Sequence, residues 1–241
     1  MEVKQDWKIN IVNNNDRYPY VIIDNWYTKS EEKAVWKELE FYNSLPNHII
    51  DRAENTAVAK NQGKALGKSY RWYLDFLYTQ DGRYQSAILN CLYKATSPEL
   101  LLSTKDFDPY HNMIKSSTDI ASLISYYENN DYYDEHFDTY HWTLLIWYFK
   151  KPKKFEGGNF ILTGPEDEIE CKHNRAILFP CSYNHKITPV TMNNDDDEKN
   201  GRYTITHFYY HDIKGGRQFG QNLWKQWHSI IFLVILMRLE I

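Results

Sequence analysis

From Asp119 onward the chain breaks into short runs rich in isoleucine, tyrosine, tryptophan, phenylalanine and threonine: DIASLISYYE, WTLLIWYF, GNFILT, EIECKH, RAILFP and RYTITHFYY. Glycine, proline and polar clusters separate them at short intervals. β-Branched and aromatic side chains suit a pleated, half-buried surface, so runs this short and closely spaced predict an all-β sandwich or barrel. With 42% hydrophobic and 16% aromatic residues in 241, the chain can bury the core that such a fold needs.

The first half has a different texture. YPYVIIDNWY predicts a buried strand from Val21 to Asp24, ending at Asn25. TKSEEKAVWKELEFYN predicts a helix, because Thr28 and Glu31 have capping-box spacing and Val35, Leu39 and Tyr42 form a stripe with Trp36 at its edge. AENTAVAKNQGKALGKS is poor in large apolar residues and holds two glycines, which predicts an exposed loop. YQSAILNCLYKA has helical periodicity again. The expected organisation is a single domain over 1–241: an N-terminal strand and supporting helices across 1–118, a β core across 119–212, and a tail across 213–241.

Several function classes are disfavoured. A formal charge of −4 with no basic stripe argues against nucleic-acid binding through phosphate contacts. Cys91, Cys171 and Cys181 form neither an even disulfide set nor a CxxC pair, and the polar start MEVKQDWKIN fits neither a secretory signal nor a transit peptide. A reducing, cytoplasmic setting is the expectation. The apolar run IIFLVILM, Ile230 to Met237, is far short of the ~20 residues of a membrane-spanning helix, so no span is expected. It is expected to pack on the body or on a second copy as a homodimer contact. The acidic stretch NNDDDEKN, 193–200, reads as a solvated loop.

Chemistry concentrates in YYENNDYYDEHFDTYHW, residues 126–142. In an extended strand His136 and Asp138 leave the same face, which is how a strand offers an imidazole and a carboxylate to one ion. A His-x-Asp triplet alone is common by chance. A third ligand would come from His141, His173, His185, His207, His211 or His228, and His185 stands out because it follows the strand-and-turn pattern ILFPCSYN. Two histidines and one carboxylate on a face leave coordination positions open, the pattern of non-haem Fe(II) oxygenases; zinc with the same ligands is the competing reading. Arg202, inside the β-branched run RYTIT, is costly to bury without an anion, either an internal carboxylate or a carboxylate ligand. If it points inward, Thr204 and Thr206 share its face and His207 points away.

Four segments in this order, YYDEHFD, FEGGNFIL, AILFPCSYNHKITPV and GRYTIT, resemble the 2-oxoglutarate- and Fe(II)-dependent oxygenases, specifically their prolyl 4-hydroxylase-like branch. VIIDNWYTKSEE is similar to that family's opening strand and helix. The resemblance implies a mainly β, α+β-class fold: a double-stranded β-helix (jelly roll, cupin-like) with supporting N-terminal helices. It implies iron held by His136, Asp138 and His185, and the distal carboxylate of 2-oxoglutarate held by Arg202 with Thr204 beside it. Tyr148 falls where similar enzymes place a second donor to that carboxylate, and Tyr126 where they place a tyrosine near the co-substrate. Tyr133 occupies a position where the family often has tyrosine, with no chemistry attached to it. Gly157 and Gly158 fit a tight turn, a backbone role. The seventeen positions from His185 to Arg202 exceed the family's usual interval, and the acidic stretch accounts for the surplus as a loop insertion. The implied reaction hydroxylates an unactivated C–H bond, foremost in a prolyl residue of a peptide or protein. Fe(II), 2-oxoglutarate and O2 take part, with ascorbate as an optional addition. Another residue or a free small molecule is the alternative substrate, and a non-catalytic β-sandwich binding module the alternative class. Because Asp138 is retained, hydroxylation is favoured over halogenation, whose family members lack that carboxylate.

Overall fold

A computed structural model describes residues 5–13, 18–45, 51–52, 58–78, 80–105, 111–192 and 199–211. The strands are β1 (Lys8–Val12), β2 (Tyr20–Asp24), β3 (Asp51–Arg52), β4 (Lys60–Asn61), β5 (Lys64–Ala65), β6 (Gly67–Lys68), β7 (Tyr70–Tyr73), β8 (Asp119–Tyr127) and β9 (Tyr132–His136). They continue with β10 (Trp142–Tyr148), β11 (Phe155–Gly157), β12 (Phe160–Leu162), β13 (Asp167–Ile169), β14 (Arg175–Pro180), β15 (His185–Ile187), β16 (Val190–Met192) and β17 (Arg202–Tyr210). The helices are α1 (Lys29–Asn43), α2 (Leu74–Leu77), α3 (Ala87–Asn90) and α4 (Pro98–Ser103).

An eight-stranded sheet in the order β1-β2-β14-β10-β17-β8-β7-β3 faces a five-stranded sheet in the order β13-β12-β15-β9-β6, and every pairing is antiparallel. This is the jelly roll that the family resemblance implies. Alternation along the strands divides the core in two. Leu144, Ile146 and Tyr148 of β10 join Tyr203 and Ile205 of β17 in packing on Val35, Leu39 and Tyr42 of α1. Leu145 and Trp147 point the other way, against Phe160, Ile187 and Tyr133 of the smaller sheet. Every residue of β10 is therefore buried, and the strand shows no polar alternation in sequence.

The start of α1 follows the expected capping box: Glu31 N–H donates to Thr28 Oγ1 (3.4 Å) and Thr28 N–H to Glu31 Oε2 (2.7 Å). β2 ends where expected, at Asn25, which takes a left-handed φ of 63°. Two expectations need correction. The periodic segment 84–95 is not one helix: α3 stops at Cys91, from which a 3-10 turn (Leu92–Thr96) starts afresh. Its first turn is held from outside, with Ser86 Oγ accepting from Leu89 N–H and Glu38 Oε2 from Ile88 N–H. The expected loop 53–69 contributes β4, β5 and β6, and its Val58 and Gly67 are buried. The glycine that reads as a loop marker is instead a close-packing residue beside β9.

The described residues up to Tyr210 lie in one compact unit. Most of the acidic stretch, 193–198, and the tail from 212, with IIFLVILM and His228, fall outside the described residues. Among the described residues no helix is long and apolar enough to cross a membrane, and all three cysteines are buried and free.

Candidate active site

β9 ends on His136 and β15 begins on His185, and the two residues pair directly across the small sheet. Asp138 is not on the strand, as the same-face argument assumes, but two residues beyond it. Its N–H donates to the Cys181 carbonyl at 2.9 Å, which turns its carboxylate toward both imidazoles. Asp138 Oδ1 lies 4.0 Å from His136 Nε2, and Oδ2 lies 3.9 Å from His185 Nε2. One potential ligand atom from each of the three residues falls within a 4.8 Å sphere of mutual distances, and no other such group occurs among the described residues.

Both imidazoles are prepared in the same way. His136 Nδ1 lies 2.8 Å from the Asp134 carbonyl and His185 Nδ1 lies 2.9 Å from the Tyr183 carbonyl. A carbonyl can only accept, so each Nδ1 carries the proton and each Nε2 presents a lone pair. Burial, with His185 next in effect, pushes the His136 pKa down to about 3, so the ring is neutral over the physiological range. Thr143, from the inner face of β10, donates its hydroxyl to Asp138 Oδ2 at 2.8 Å. Flat rings cover both imidazoles: Tyr133 lies 3.6 Å from His136 and Phe160 lies 5.0 Å from His185, each with an interplanar angle of 20°.

The three residues open on a cavity of about 270 Å³ between the sheets, whose wall includes Thr204, Tyr127 and Arg71. Arg202, first residue of β17, is fully buried beside it. Its guanidinium lies 4.7 Å over the Tyr127 ring and donates from Nη1 to Thr204 Oγ1 at 2.5 Å. Nε and Nη2 have no hydrogen-bond partner, and no described carboxylate pairs with the group. A buried guanidinium with two idle donors is the arrangement a ligand carboxylate would complete. Gly158 makes room for it: a Cβ there would come 2.6 Å from Arg202 Cδ, and its φ of 67° is left-handed. Gly157 is equally constrained, its φ being 69° and a Cβ meeting the Pro189 carbonyl.

Thr204 thus shares the inner face with Arg202, and His207 points outward as the alternation requires, its Nδ1 2.9 Å from Ser122 Oγ. His173 is engaged with Glu32 at 2.9 Å. The two tyrosines proposed beside the co-substrate are misplaced. Tyr148 faces the helices and donates its hydroxyl to the Glu32 carbonyl at 2.9 Å. Tyr126 also lies in the helix-side core, its hydroxyl accepting from Gly201 N–H at 3.1 Å. The physical reason is strand parity: the cavity face carries Tyr127 and Trp147, one position away in each case. Sequence reasoning also missed Thr143 and Arg71. The first had a signal in its odd-numbered parity with Leu145 and Trp147; the second, on a strand that was not anticipated, had none.

Two histidines and a carboxylate converge here beside a buried arginine, a donor set that suits a non-haem iron or a zinc ion with coordination positions left open. Residues 122–210 match the model of the 2OG-Fe(II) oxygenase superfamily, so the resemblance read from the four motifs holds over this core. Among solved structures, a Pseudomonas putida prolyl-4-hydroxylase is similar at 12% identity and TM-score 0.52, covering 81% of this chain and 94% of that one. A Burkholderia pseudomallei oxidoreductase of the 2OG-Fe(II) oxygenase family is similar at 15% identity and TM-score 0.50, covering 79% and 84%. A Phytophthora capsici prolyl 4-hydroxylase shares 16% identity and a TM-score of 0.50, covering 80% and 59%. At such identities the likeness is one of fold. No curated protein matches the sequence.

Proposed function

We propose that this chain is an Fe(II)- and 2-oxoglutarate-dependent dioxygenase that hydroxylates an unactivated C–H bond, with a prolyl residue of a peptide or protein as its substrate. The observation that carries the reading is the convergence of His136, Asp138 and His185 within 4.8 Å, with both histidine Nε2 atoms free to ligate. The prolyl substrate is supported by the shared fold of the two prolyl 4-hydroxylases above.

In this reading the three side chains hold the metal from one side and leave the cavity side open. Arg202 takes the far carboxylate of 2-oxoglutarate through its idle Nε and Nη2, and Thr204 holds the guanidinium in place. When bound, iron and 2-oxoglutarate reduce O2, giving succinate and CO2 and placing the second oxygen atom in the substrate C–H bond. The chain's own part is to orient both reactants, neutralise the distal charge and keep the pocket shaped and dry.

The test is direct. The purified chain with Fe(II) should convert 2-oxoglutarate to succinate, and a proline-containing peptide library should gain one oxygen atom by mass spectrometry. A protein that makes no succinate and binds neither iron nor 2-oxoglutarate is not this enzyme. Succinate without oxygen gain in any peptide would move the substrate to another residue or a free small molecule.

A further inference from the structure

A carbonyl bond to Nδ1 fixes one atom of an imidazole but leaves the ring free to rock about that atom. A face-on contact removes the remaining freedom. At His185 the contact is Phe160, anchored in the apolar core. At His136 it is Tyr133, on the same strand three residues earlier, and Tyr133 is itself held from several sides. Its hydroxyl accepts from Ala59 N–H at 2.8 Å. Its residue pairs with Gly67 across β6 and β9, and a Cβ on Gly67 would sit 2.6 Å from Tyr133 Cδ2. The Arg71 guanidinium lies 4.6 Å from its ring centroid, with Nε donating to Ser69 Oγ at 3.0 Å. An aromatic ring cannot slide away from such a contact as a flexible chain end can.

We infer that Tyr133 is a positioning residue for the metal centre. Seated on the Gly67 backbone and packed by Arg71, its ring sets the tilt at which His136 Nε2 meets Asp138 and His185. The inference rests on the metal-centre reading proposed above and adds to it the element that orients one ligand. It assigns a role to β6 and β7, which lie outside the segment matching the superfamily model.

Cobalt(II) titration of the metal-free protein tests this, because cobalt absorption reports coordination geometry as well as affinity. Tyr133→Leu removes the ring face, and Gly67→Ala pushes the ring without touching its chemistry. Both should weaken cobalt binding by about 10- to 100-fold, the usual effect of losing support behind a ligand, and should alter the spectrum. Arg71→Met should give a smaller loss, and Tyr133→Phe, which keeps the ring, should retain most of the wild-type affinity. A purely structural role for Tyr133 would lower the metal-free melting temperature and leave the folded protein's affinity and spectrum as they were. Folded Tyr133→Leu with wild-type affinity and spectrum overturns the inference. If that variant does not fold, Gly67→Ala with wild-type affinity and spectrum overturns it equally. A wild-type protein that takes up neither cobalt nor iron removes the metal centre itself, an outcome visible before any variant is made.

Discussion

The eight-stranded sheet presents two unlike faces built from alternate residues of the same strands. Toward the helices it offers Ile124, Leu144, Ile146, Leu178 and Ile205, and the polar groups among them serve packing: Tyr148 is bonded to Glu32, Tyr126 to Gly201 and His207 to Ser122. Toward the small sheet it offers Thr143, Thr204 and Thr206 to the cavity, with Arg202 buried beside them. Here a guanidinium retains idle donors and the facing histidines retain free lone pairs. One face uses its polar groups for stability; the other leaves them uncommitted, at a cost that the helix-side core offsets. Substitutions on the two faces should therefore separate ligand binding from stability.

The largest effects should come from the ligands across the cavity. His136→Ala and Asp138→Ala should each abolish Fe(II) binding and reduce succinate formation to background, as read by metal titration and product assay. Near-wild-type turnover in either would remove that residue from the ligand set. On the inner face of β17, Arg202→Met removes the proposed partner of the distal carboxylate of 2-oxoglutarate. Breaking a buried charge pair costs ~3 kcal/mol or more, so 2-oxoglutarate affinity should fall by about a hundredfold or more. Cobalt affinity should stay unchanged, which separates this face's two tasks.

The outer face should respond in the opposite sense. Ile146, fully buried against the helices, should lose ~2–5 kcal/mol of stability on substitution by alanine, measured by denaturant unfolding, with the KM for 2-oxoglutarate unaltered. A shift in KM comparable to that of Arg202→Met would erase the distinction between the faces.

Acid tests both faces at once. Burial pushes His136 on one side and His207 on the other down to about 3, from the ordinary histidine value of about 6.5. Between these values the unfolded chain binds protons that the folded chain refuses, so stability should rise with pH across that window and level off above it. His207→Asn should flatten the slope while leaving metal affinity intact, whereas His136→Ala should flatten it and abolish metal binding. A flat profile in the metal-free wild type would contradict the burial of both rings.

How legible this was in the sequence depended on what each strand faces. β17 reads clearly because arginine and threonines alternate with tyrosine and isoleucine, so the facing of Arg202, Thr204 and His207 follows from period two. The proposed ligand trio was legible for a different reason: a His-x-Asp triplet alone is common by chance, and only the order of the four motifs, with the family they resemble, joined His185 to His136 and Asp138. In β10 nothing alternates, because both faces are buried, and Tyr148 was placed beside the co-substrate by position alone. The tyrosine pair at 126 and 127 is ambiguous for a simpler reason: identical neighbours carry no parity. Register supplies what composition cannot, since Arg202 pairs directly with Tyr127. Arg71 was out of reach, because β7 is a four-residue strand whose partners lie some fifty positions downstream in β8.

The smallest expected effect is the sharpest test of that correction. Tyr148→Phe deletes one hydroxyl, whose bond is to the Glu32 carbonyl of α1. A net loss of ~1 kcal/mol in stability is expected from that bond, with 2-oxoglutarate KM and kcat unchanged. Tyr127→Phe is the matching change on the inner face. Tyr127 lies under the Arg202 guanidinium and lines the cavity, so of the two tyrosines it is the one placed to meet a ligand there. Measured side by side, Tyr127→Phe should raise the 2-oxoglutarate KM and Tyr148→Phe should not. The reverse result would mean that β10 presents its other face to the cavity. That in turn would displace Thr143 from Asp138, so the proposed metal site and the facing of β10 stand or fall together.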